Sequence, residues 1–157
     1  MVTTPDDRHI PAPVIDRVAA AAASDSGLDS TDLLGDFLHV LGVGAADGRP
    51  LDARILRDYR AFGDAAARRG VALRALLDLY LSAAWRLWSE LPAVARADAN
   101  PRAVVAAGDV MLRAVDGVVA ELTEGFQLAR RTVVRAQESA RRELVDDLLI
   151  GGADVAG

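Results

Sequence analysis

Apolar residues along this chain recur at steps of three and four, the period of an α-helix, and nowhere alternate as a half-buried strand would. Met1 to Ala12 has no such period, holds two prolines and reads as a flexible tail. Pro13 suits a helix start, and Val14 to Ala23 follow as a short Ala-rich helix. Ser24 to Asp29 reads as a turn with Gly27 as the helix stop. Ser30 is a good N-cap for a second helix, whose Leu33, Leu34, Phe37, Leu38 and Leu41 share one face. Gly42 to Pro50, rich in glycine and small residues, reads as a loop. A third helix starts near Asp52 and ends at Gly70. Leu51, Ile55, Tyr59, Phe62 and Ala66 mark its buried side, with Arg54, Arg57, Arg60 and Asp64 mostly opposite.

The fourth helix, Ala72 to Leu91, carries one narrow polar line of Arg74, Asp78, Ser82 and Arg86, finished by Ser89 and Glu90. The rest of its circumference is apolar. Such a helix must be covered by several neighbours, which puts it at the centre of the domain. Leu76, Leu77, Tyr80, Ala84 and Leu87 are expected to be nearly fully buried, and Pro92 to stop the helix. Asn100-Pro101 then reads as an N-cap followed by an N1 proline.

From there one helical pattern runs to about Leu149. Val104, Gly108, Met111, Val115, Val118, Leu122, Phe126, Ala129, Val133, Ala136 and Ala140 form a heptad-like seam, which Leu144 and Leu148 continue after a slip. Gly117 and Gly125 favour a kink, and Gly151-Gly152 ends the pattern. The expected organisation is a tail at 1–12, a helical sensory domain at 13–128, a linker and dimerisation helix at 129–150, and the start of a truncated linker at 151–157. Ala129 to Leu149 extends roughly 30 Å at about 1.5 Å per residue. A chain this size cannot cover that stripe alone. Leu122, Phe126, Val133, Ala136, Ala140, Leu144 and Leu148 are therefore expected to form the interface of a parallel homodimer.

Composition narrows the function. There is no cysteine, so neither a disulfide framework nor a thiolate metal site can form. The net charge of -5 argues against a nucleic-acid surface on this chain. All 18 basic residues are arginine, a bias typical of a GC-rich bacterial genome. The longest uncharged run, Phe37 to Ala46, is far too short to span a membrane, and the Ala-rich stretch after Arg17 lacks the plan of a signal peptide. A soluble, cytoplasmic protein is expected.

Candidate chemistry is sparse. Asp32, Asp36 and His39 share a helical face at spacings that suit a divalent cation, but no fourth ligand accompanies them, so a solvated face is the expectation. His9 stands in the tail with no evident role. Gly42-Val43-Gly44 lacks both a lysine and a preceding strand, and so is no phosphate loop. No serine–histidine pairing is suggested, and no enzyme activity or cofactor is expected. Tyr59, Phe62, Tyr80, Trp85 and Trp88 lie on adjacent helices and either line a pocket for a small effector or are simply core. Arg130, Arg131, Arg135, Arg141 and Arg142 either bind an anion or pair with Glu138 and Glu143 on a solvated face.

Two segments carry a resemblance. Gly70-Val71-Ala72-Leu73-Arg74-Ala75-Leu76-Leu77-Asp78-Leu79-Tyr80, with Trp85 and Trp88-Ser89-Glu90-Leu91, resembles the N-terminal domain of actinobacterial PucR/CdaR-type transcription regulators. That domain is similar to the RsbR-type (RsbRD-like) co-antagonist domain. Ala136 to Gly151 resembles the segment that joins it to the central domain of such regulators. Ser82-Ala83 departs from the family's common glycine, and Phe126 from its common tyrosine. The resemblance implies a globin-like helical bundle without obligatory haem, upstream of a central domain and a helix-turn-helix. It implies a signal-input and dimerisation role, or, as an alternative, a stressosome-like interaction scaffold without a small-molecule ligand.

Overall fold

The computed structural model describes residues 9–153, and the regular elements among them are all helical. Helix α1, Ala12–Asp25, starts after Pro11 with a proline in its first turn and ends before Gly27, whose φ of 68° only glycine adopts without strain. Residues 1–8 of the expected tail lie outside the described residues. Ile10 is buried against Gly42. Ser30 Oγ accepts from the Asp32 amide at 3.1 Å and opens a short 3₁₀ turn, Asp32–Leu34.

Helix α2, Phe37–Asp47, takes in Gly42 to Asp47 of the segment expected to be a loop at Gly42 to Pro50, and only the last three residues of that segment lie outside it. Packing explains the difference. A Cβ at Gly42 would stand 3.1 Å from Ile10 Cδ1, and one at Gly44 3.2 Å from the Arg49 carbonyl oxygen. The bare backbone lets both chain segments lie against the helix, and this contact outweighs the cost of about 1 kcal/mol that a glycine imposes on a helix.

The single helix expected from Asp52 to Gly70 is two. Asp52 caps α3, Ala53–Asp58, by accepting from the Arg54 amide at 2.8 Å. Helix α4, Arg60–Arg68, follows a break at Tyr59. The break accompanies an inward-turned Tyr59 ring, 2% exposed, whose hydroxyl donates to Asp36 Oδ1 at 3.0 Å.

Helix α5, Leu73–Trp88, has Leu76, Leu79, Tyr80, Ala83, Ala84 and Leu87 in the core. Leu77, expected among them, is only half-buried: at 100° per residue it stands at the edge of the buried arc centred near Leu76 and Leu87. The helix ends before Pro92, which opens the one-turn α6, Pro92–Ala95, and does not itself terminate α5.

Helix α7, Pro101–Ala153, is capped by Asn100, whose Oδ1 accepts from the Ala103 amide at 3.2 Å. Its 53 residues span about 80 Å. It runs unbroken through Gly117 and Gly125, and through Gly151-Gly152 to Ala153; residues 154–157 lie outside the described residues. Its first half packs on α2, α4 and α5, most extensively on α4, while α1 lies on α5. The architecture is an all-α bundle with a long C-terminal helix. None of its helices, among the described residues, is long and apolar enough to cross a membrane.

Candidate functional site

The five expected pocket aromatics fall into two groups. Tyr59, Phe62 and Tyr80 interlock with Phe37: ring centroids lie 5.9 Å apart for Phe37–Tyr59, 4.8 Å for Phe37–Tyr80, 5.8 Å for Tyr59–Phe62 and 6.1 Å for Tyr59–Tyr80. These are packing distances for aromatic pairs. The Tyr80 hydroxyl donates to the Leu33 carbonyl. Burial pushes the pKa of both tyrosines far above the usual phenol range, and the Asp36 carboxylate adds to the effect. This cluster is a satisfied core.

Trp85 and Trp88 stand on another side of α5. Trp85 is 59% exposed, with the Arg86 guanidinium 4.6 Å from its ring centre. Trp88 is half-buried over Gly108. Together with Leu81 and Ala84 of α5 and Gly108, Met111, Leu112 and Val115 of α7, they line an open groove of about 490 Å³ with no charged side chain in its wall. On α7, Leu112 of this wall is 75% exposed, and Val105 is 73% exposed. Periodicity counted Leu81 in the covered circumference of α5, where it is 44% exposed, and it passed over Val105 and Leu112 because they stand off the seam of α7. The one signal for Val105 and Leu112 was that they were large apolar residues left over after the seam had been assigned.

A second groove, about 450 Å³, opens where α7 leaves the bundle, between Val71 and Leu73 on one side and Phe126, Arg130, Val133, Val134 and Gln137 on the other. Here the long seam changes character. Leu122, Phe126 and Ala129 are buried within the chain's own bundle, while every residue from Arg130 to Gly151 is exposed, Val133, Ala136, Ala140, Leu144 and Leu148 included. None of Arg130, Arg131, Arg135, Arg141 and Arg142 forms an ion pair with Glu138 or Glu143 among the described residues.

The Asp32, Asp36 and His39 trio does not gather. Asp36 serves Tyr59, and the His39 ring meets His9 edge-on at 5.4 Å. No group of three or more potential ligands forms among the described residues. The polar line of α5 has a structural use instead: Ser82 and Arg86 both hold Asp25, at the end of α1.

The RsbT co-antagonist protein rsbRD N-terminal domain family matches residues 8–141, which covers the whole bundle and the first part of the free helix. The chain belongs to this family. No curated protein and no solved structure matches it. As an RsbRD N-terminal domain it is sensory or stressosome-like in type, and its bundle ends several turns before α7 does.

Proposed function

We propose that this RsbRD N-terminal domain is the signal-input and dimerisation module of a bacterial transcription regulator of the PucR/CdaR type, working in the cytoplasm and doing no covalent chemistry itself. The observation behind this reading is the free part of α7. From Arg130 to Gly151 every residue of the helix is exposed, and the stretch carries Val133, Leu144 and Leu148 at 41%, 61% and 69% exposure. Apolar area on a helix of this length calls for a partner helix. Parallel pairing would deliver two downstream domains to the same end. The negative net charge leaves DNA reading to a domain outside this chain.

The effector part of the reading attaches to the Trp85–Trp88 groove, since Tyr59, Phe62 and Tyr80 are packed solidly. That same packing favours the second reading, a scaffold domain that binds protein and no small molecule. Sedimentation of the wild type and of the Val133→Glu, Leu144→Glu double variant tests the dimer. A dimer at tens of micromolar that the double variant abolishes is expected. A monomeric wild type, or a double variant that pairs equally well, would end this reading.

A further inference from the structure

We infer that the groove at the root of the free helix is a binding site for a small amphipathic organic anion, whose carboxylate is held by Arg130. The site lies between the α4–α5 connection and Phe126 to Gln137 of α7. It goes beyond the reading above and needs neither the dimer nor the Trp85–Trp88 groove.

The two grooves differ in chemistry. The wall of the Trp85–Trp88 groove holds no charged residue. Among the described residues, Arg130 is the one charged residue lining the groove at the helix root, and no carboxylate lines it. The Arg130 side chain has no ion pair or hydrogen bond among the described residues. Its surroundings add to the attraction. From Arg130 to Arg142 the chain carries five arginines against one glutamate, although the net charge of the whole is -5. An anion is thus drawn to this part of an acidic protein.

Shape sets the rest of the ligand. Phe126, Arg130, Val133 and Gln137 step by four, three and four residues, so they share one face of α7. Val71 and Leu73 stand across the groove from them. Phe126 is 5% exposed and Val133 41%, so the groove runs from a buried inner end toward solvent. Gln137, about 10 Å beyond Arg130, offers a second polar end. A volume of about 450 Å³ suits a small molecule. An exposed ion pair contributes little by itself, so an apolar body must supply most of the affinity. An inorganic anion would leave Phe126, Val133 and Leu73 uncovered.

Position gives the site its consequence. Arg130 begins the exposed stretch of α7, while the α4–α5 connection belongs to the bundle. A ligand that touches both walls ties the root of the free helix to the bundle and favours one direction of exit. Under the signal-input reading, this is the groove from which a ligand acts on the output helix most directly.

The test adds octanoate, whose extended chain suits this span, to the full chain and follows methyl NMR signals. Those of Val71, Leu73 and Val133 should move and saturate. The uncharged n-octanol and inorganic phosphate should each bind more weakly. Arg130→Gln should weaken octanoate binding about three- to ten-fold. Arg131→Gln removes the same charge from a residue outside the groove and should not. Amide exchange from Arg130 to Gln137 should slow with octanoate bound. No saturable change at millimolar octanoate, equal weakening by the two arginine variants, or phosphate binding as tightly as octanoate would overturn the site. So would octanoate that moves the Trp85 and Trp88 indole signals and leaves Val71 and Leu73 still. Unchanged exchange in the saturated protein would overturn its hold on the helix. A monomeric wild type that binds octanoate as described supports this site while ending the dimer reading.

Discussion

Gly63 of α4 and Gly125 of α7 stand at a helix crossing so close that a Cβ on either would collide with the other helix's backbone. The Gly63 Cβ would strike the Leu122 carbonyl, and the Gly125 Cβ the Arg60 carbonyl, each well under 3.0 Å. Backbone cannot yield as a flexible side chain does. Gly63→Ala and Gly125→Ala should each destabilise the fold by about 1–3 kcal/mol, as overpacked sites do, although alanine favours a helix by about 1 kcal/mol over glycine. Urea titration measures the loss. Gly151→Ala, with open space around it, is the control and should be neutral or slightly stabilising. Equal stability for all three variants would mean that the two helices are not in contact at this crossing.

Leu76 and Leu77 are neighbours with different surroundings. Leu76 is fully buried and Leu77 half-buried. Leu76→Ala should cost about 2–5 kcal/mol, from lost burial plus a cavity. Leu77→Ala, part of whose side chain already meets water, should cost clearly less. Thermal or urea unfolding of the pair decides. A larger loss at Leu77 would mean that α5 is rotated from the orientation described.

Helical periodicity made much of this legible. It placed α5 in the core, put a helix start near Asp52, found the cap at Asn100, and followed α7 as one helix. It failed where tertiary contacts override local preference. Gly42 and Gly44 look like loop residues until Ile10 and Arg49 are seen against them. Tyr59 fits a continuous helix until its hydroxyl finds Asp36, 23 residues earlier. The aromatic set divided because Trp85 lies about 180° around α5 from Leu76, a fact that five scattered rings do not reveal without knowing which face is covered. The seam of α7 had the same ambiguity. Leu122 and Leu144 belong to one stripe, but only packing shows that the first is covered by its own chain.

The tyrosine pair makes the fold sensitive to alkali. Burial, and then the Asp36 charge, raise the pKa of Tyr59 above its unfolded value near 10; burial, and then Tyr59, do so for Tyr80. The folded state therefore keeps both protons after the unfolded state begins to lose them. Their contribution is fully present below about pH 10 and is lost as pH rises beyond it. Stability measured against pH should fall on the alkaline side. Tyr59→Phe should flatten part of that fall, while costing about 1 kcal/mol at neutral pH through its lost hydrogen bond. An unchanged alkaline slope in Tyr59→Phe would mean that the ring is reached by water.

Acid acts at the other end of the bundle, where Asp25 closes α1. A carboxylate in the last turn of a helix meets the negative end of the helix dipole, an unfavourable place by itself. Here Arg86 donates to it from Nε at 2.8 Å and from Nη2 at 3.0 Å, and Ser82 donates its hydroxyl. The Arg86 hydrogen bonds first, and then that of Ser82, hold the Asp25 carboxyl below the usual carboxylate range. A lowered folded-state value gives a contribution that is present above about pH 4 and is lost as pH falls through the folded value. The contact joins α1 to α5 and lies apart from the α4–α7 crossing, so its loss should be local. In Asp25→Asn, amide exchange at neutral pH should quicken in α1 and stay unchanged in α4 and the first half of α7. The variant should also lose less α1 protection than the wild type between about pH 5 and pH 3. Identical acid profiles for the two proteins would show that Asp25 does not hold α1 in place.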